Sequence, residues 1–148
     1  MNRILSTVIA GVVAGVFAFT GLVPASAAPG TQALHITKNC KDYHGGAGEF
    51  CTITTSNLRL IKPGSRVIYK SAAGLTSLDS DIVLRTGHGN RAFGHVVLDF
   101  VTATGTVRLN GGTGRFRHFH ARVAVSYIGG PDGFDWAWDG TYHFSCRH

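Results

Sequence analysis

Phe119-His120-Ala121-Arg122-Val123-Ala124-Val125-Ser126-Tyr127 is followed, after a break at Gly129-Gly130-Pro131-Asp132-Gly133, by Phe134-Asp135-Trp136-Ala137-Trp138-Asp139-Gly140-Thr141-Tyr142-His143-Phe144. Side chains along a strand point alternately to its two faces. In the first stretch Phe119, Ala121, Val123, Val125 and Tyr127 therefore share one face, and His118, His120, Arg122, Ala124 and Ser126 share the other. In the second, Trp136, Trp138, Gly140, Tyr142 and Phe144 oppose Asp135, Ala137, Asp139, Thr141 and His143. An apolar period of two reads as two half-buried strands. The glycine-rich break between them reads as a chain reversal.

The same signature recurs upstream. Runs rich in Val, Ile, Thr and Phe fall at 34–37, 50–60, 66–71, 81–86, 92–102 and 106–109, and the final pair spans 116–127 and 134–146. Lys62-Pro63-Gly64-Ser65, Gly87-His88-Gly89-Asn90, Thr104-Gly105 and Asn110-Gly111-Gly112 punctuate them. Residues 71–80 carry no clear period and read as a loop or a single helical turn. With twenty glycines and no helical pattern, the chain is all-β. Short turns between consecutive strands make a meander, and closing it removes the exposed edges. The expected fold is a closed eight-stranded antiparallel up-and-down β-barrel, one domain over residues 28–148. A barrel of that size is filled by side chains or holds one small ligand.

The N-terminus has a different character. Arg3 precedes an apolar run at 4–23, and Pro24-Ala25-Ser26-Ala27 closes it with small residues where a signal peptidase reads. Residues 1–27 are the expected signal peptide, cleaved before Ala28. The run approaches membrane-spanning length, but the Ala-x-Ala box follows it directly and no basic stop-transfer residues do. No second apolar run follows, so stable membrane insertion after cleavage is not expected, and the protein is read as secreted.

The chain of 148 residues has a net charge of +6, and the leader contributes only Arg3 to it. Lys and Arg are scattered singly, without the cluster that tracks a phosphate backbone, so no nucleic-acid partner is expected and the charge reads as a solubility device. Three cysteines, Cys40, Cys51 and Cys146, meet an oxidising compartment. Three pairings are open. The flexible-looking segment from Lys41 to Gly48 makes Cys40–Cys51 the expected bridge, leaving Cys146 as the spare thiol.

Chemistry-bearing patterns are few. His118 and His120 have metal-like spacing, yet their parity points them away from the apolar face, so no metal site is expected. Asp79 and Asp81 are also two apart and read as turn and strand-start acids. No nucleophile elbow is present, and no cofactor is implied. The row Trp136, Trp138, Tyr142 and Phe144, with Tyr127 opposite, fits either core packing or the wall of a site for a flat apolar ligand.

Gly111-Gly112-Thr113-Gly114-Arg115-Phe116 resembles the glycine turn of the allene oxide cyclase-like and dirigent-like barrels, notably their small secreted bacterial members. Phe93-Gly94-His95-Val96-Val97-Leu98-Asp99 and Trp138-Asp139-Gly140-Thr141-Tyr142 look similar to the same group. The likeness covers roughly residues 52–144. It implies a closed eight-stranded barrel with an apolar cavity, and a homo-oligomer of the kind common among the plant members. Plant cyclases rearrange an unsaturated epoxide using a buried carboxylate and an ordered water, and dirigent proteins steer the coupling of phenolic intermediates. Only the turn carries over by residue, with Gly111, Gly112 and Gly114 as structural positions. Glu49, the sole glutamate, stands in a different context from the cyclase acid.

Three functions fit this reading. The first is a non-catalytic secreted barrel that binds a small apolar or phenolic compound or acts in a dirigent-like way. The second is an isomerase or cyclase acting on an unsaturated oxygenated lipid-like substrate. The third is a structural envelope or interaction module whose barrel is filled.

Overall fold

A computed structural model describes residues 30–146; the expected signal peptide and its cleavage site lie outside the described residues. Eight antiparallel strands, β1 (Gln32–Asn39), β2 (Phe50–Ser56), β3 (Arg66–Tyr69), β4 (Ser77–Arg85), β5 (Arg91–Asp99), β6 (Thr104–Thr113), β7 (Phe119–Gly129) and β8 (Asp135–Phe144), follow one another around a closed barrel. β1 pairs with β8 along its whole length, from Gln32 opposite Tyr142 to Asn39 opposite Asp135, so the sheet has no free edge. The all-β, eight-stranded up-and-down barrel is the fold.

The interior follows from alternation. Leu34 and Ile36 of β1, Ile82 and Leu84 of β4, Val107 and Leu109 of β6, Phe119, Val123 and Val125 of β7, and Trp138 of β8 are all buried. Each such side chain contributes about 1.5–3 kcal/mol when taken out of water. The loops sort to two ends. Residues 40–49, 70–76, 100–103 and 130–134 form one, here the near end, and 57–65, 86–90 and 114–118 form the far end. Buried Ile61 and Phe116 plug the far end. At the near end a disulfide joins Cys40 to Cys51, as expected, and Cys146 is free and exposed.

Several boundaries differ from expectation, each for a local reason. β2 stops at Ser56 because Asn57 bonds to β1 instead: it accepts from the His35 N–H at 2.8 Å and donates to the Ala33 carbonyl at 3.0 Å. β4 starts at Ser77, so part of the unpatterned stretch is strand. A tight hairpin is expected over Asn110 to Gly114, but residues up to Thr113 are the end of β6, with Gly112 opposite Ala92 and Thr113 opposite Arg91. The reversal comes later, at a 3-10 turn (Gly114–Phe116). Gly111 (φ +77) and Gly114 (φ +60) have positive φ, and Gly111 sits in the bulge where the β5–β6 register shifts. Gly112 is needed for a different reason: a Cβ there would run into the Arg91 carbonyl oxygen.

Candidate functional site

In β1, Leu34, Ile36 and Lys38 alternate onto the inner face, so Lys38 is delivered into the barrel at only 3% exposure. The alternation is present in the sequence, where Lys38 falls in phase with Leu34 and Ile36, but Lys38 belongs to no motif and lies one residue beyond the expected end of the first strand. Its Nζ donates to the Tyr69 hydroxyl at 2.5 Å and lies 3.8 Å from the disulfide sulfur of Cys51. The ring centroids of Tyr69 and Trp138 are 5.3 and 5.4 Å away. Among the described residues no carboxylate forms an ion pair with it. Burial without a counter-charge disfavours the ammonium form and lowers its pKa to about 7. The Tyr69 phenol is pushed well above its usual range by burial, with Tyr43 adding to the effect.

The surroundings are rich in donors and poor in acceptors. Trp138 Nε1 is buried without a hydrogen-bond partner, and so is the Tyr43 hydroxyl. The Tyr43 ring packs on Tyr69 with centroids 4.6 Å apart. Tyr43 also borders an open cleft of about 550 Å³, with His44, Ala73, Leu75 and Phe100. Glu49 shapes this mouth by accepting from the backbone N–H groups of His44 (2.6 Å) and Gly46 (2.9 Å). Those two bonds, Gly46 first, hold its carboxyl below the ordinary range. The two phenol rings are tilted at 43° to one another, and Tyr69 is the one that meets Lys38.

The expected aromatic row does not form one wall. Trp138 is buried beside Lys38, and half-buried Trp136 is the cross-strand neighbour of Lys38. Tyr127 is 46% exposed, packs on Trp136 at 5.2 Å, and donates to the Gly133 carbonyl. Tyr142 and Phe144 belong to the other end of the barrel, against Phe119 at 5.7 and 5.3 Å. Tyr142 donates to Gln32 Oε1 at 2.6 Å, and Phe144 is 42% exposed. A strand of ten residues is too long for one small ligand to touch all of its inner face.

The paired acids and histidines also find different partners. Asp79 and Asp81 lie within β4 and clamp one imidazole between them: His95 Nε2 is 2.7 Å from Asp79, and Nδ1 is 2.8 Å from Asp81. The Asp81 hydrogen bond raises the His95 pKa against an opposing effect of desolvation, and Asp79 adds to the rise. His118 precedes β7 in a turn, so it does not continue the strand parity of His120. His120 stacks instead on His143, centroids 5.0 Å apart. Among the described residues no three His, Cys, Asp or Glu side chains are grouped to hold a metal.

Comparison with protein-family models, with curated proteins and with solved structures finds no match to this chain. The resemblance to the allene oxide cyclase-like barrels rests on the sequence motifs quoted above.

Proposed function

We propose that the protein is a secreted, non-catalytic barrel that binds a small aromatic compound carrying a hydrogen-bond acceptor such as a carbonyl, phenolate or carboxylate. One observation carries the reading: Lys38 Nζ, Trp138 Nε1 and the Tyr43 hydroxyl lie buried among aromatic rings with too few acceptors to satisfy them. Buried donors left unpaired are costly, and a ligand oxygen placed among them would remove that cost. Trp136, Trp138, Tyr69 and Tyr43 supply flat apolar surface, and Tyr43 also borders the cleft at the near end, where a ligand would enter if the Tyr43 ring moved aside. The leader pattern and the Cys40–Cys51 disulfide support export. Binding is favoured over isomerisation because the buried polar side chains among the described residues are Lys38, Ser65 and Ser80, none of them a carboxylate.

Both tryptophans of the chain neighbour Lys38, so intrinsic fluorescence reports on the site directly. Native mass spectrometry of the exported protein should show a co-purified aromatic compound. Titration with p-coumarate should quench tryptophan emission saturably, and Lys38→Met should weaken that response at least about tenfold. No co-purified compound together with unchanged emission would overturn the reading. The filled-barrel interaction module would then stand, a reading favoured by the dense packing of Phe116, Phe119 and Trp138.

A further inference from the structure

The scattered cations of the sequence are gathered by strand register. Arg66 of β3 lies directly opposite Arg85 of β4, and Arg85 directly opposite Arg91 of β5. All three are exposed on the outer face and, with His88 and the glycines of the adjoining loops, line a cleft of about 470 Å³ at the far end of the barrel. The Arg66 guanidinium is held over the Phe50 ring, 4.3 Å from its centroid. Among the described residues no carboxylate pairs with any of the three.

Among the described residues no counter-charge lies in the loops of that end. The loops 57–65, 86–90 and 114–118 carry Arg59, Lys62, Arg115 and Arg117 and no acid. Asp42, Glu49, Asp99, Asp132 and Asp135 sit in or beside the near-end loops. Asp79 and Asp81 are engaged by His95, and Asp139 by His35 at 2.7 Å. Like charges directly opposite one another in a sheet repel. A tetrahedral oxyanion relieves that repulsion, because guanidinium groups bind such oxygens through paired, charge-assisted hydrogen bonds.

We infer that the Arg66–Arg85–Arg91 cleft binds a phosphate or sulfate ester group, borne by a small molecule or by an anionic polymer. This site is independent of the Lys38 end. Calorimetric titration of the exported protein with inorganic pyrophosphate and with long-chain polyphosphate tests it. At least one should bind, more weakly as salt is added. Arg85→Gln/Arg91→Gln, and separately Arg66→Gln, should weaken binding about tenfold or more. Arg108→Gln/Arg122→Gln, which removes the same charge from another cross-strand arginine pair, should change it by less than about twofold. Pyrophosphate bound about as tightly as the polymer assigns a small phosphorylated or sulfated ligand; binding of the polymer alone assigns a polyanion. Equal loss in both double variants, or no binding of either probe, overturns the site.

Discussion

The side-chain nitrogen of Lys38 and the hydroxyl of Tyr69, 31 positions apart in the chain, meet 2.5 Å apart inside the barrel. The pair sits beside the disulfide and beneath Tyr43, so the polar centre of the near end is built by β1, β2 and β3 together.

Lys38 makes stability depend on pH with a definite sign. Its folded pKa, about 7, is below the ordinary value of 10.5, so between those limits the unfolded chain binds more protons. Stability should therefore rise with pH from about 7 upward and level off only above about 10.5, for a total on the order of 5 kcal/mol. Lys38→Met should be more stable than the parent at neutral pH and lack this slope. Denaturant melts of both proteins from pH 6 to 9.5 check it; parallel curves would refute the buried amine as their cause.

His95 behaves oppositely. Asp81 and Asp79 raise its pKa, so the pair favours the folded state at low pH and loses that contribution as pH climbs through the folded value. The groups are exposed, so the effect on stability stays below about 1 kcal/mol. Nuclear magnetic resonance should show the His95 midpoint falling in Asp79→Asn/Asp81→Asn. No movement would mean that the clamp is not formed in solution.

The glycines of the β6 end should separate by mechanism. Gly112→Ala places a Cβ against the Arg91 carbonyl and should cost about 1–3 kcal/mol through overpacking. Gly111→Asn needs only a positive φ, which Asn tolerates, and should cost less than about 1 kcal/mol. Thermal melts decide the ranking, and a tolerated Gly112→Ala would break it.

Cys40→Ser/Cys51→Ser should lose about 2–3 kcal/mol, because the bridge closes a short loop in the unfolded chain. Alkylation of exposed Cys146 should leave the melting temperature unchanged. Peptide mapping without reductant provides the check: a Cys146 linkage to either partner would contradict the pairing.

Much of the fold was legible because alternation is a local property. Phe119, Val123, Val125 and Trp138 fall inside as their spacing requires, and the Cys40–Cys51 bridge spans a loop short enough to read. Strand ends were less legible, since they depend on single long-range bonds such as that of Asn57 to His35. The division of the aromatic row between the two ends was not legible, because parity assigns a face but not a depth along the barrel. Trp136 and Phe144 share that face at opposite ends.

The sequence by itself determined the class of fold and the faces of the clearest strands, with Phe119 inward and Arg122 outward, because both follow from a period of two. Tertiary structure alone decided which residues stand opposite one another. Lys38 meets Tyr69 and Trp138, His95 falls between Asp79 and Asp81, and Arg66, Arg85 and Arg91 line up across three strands. Those meetings depend on register, which is set by turns, bulges and barrel closure together, and alternation along one strand carries no information about where its neighbour begins.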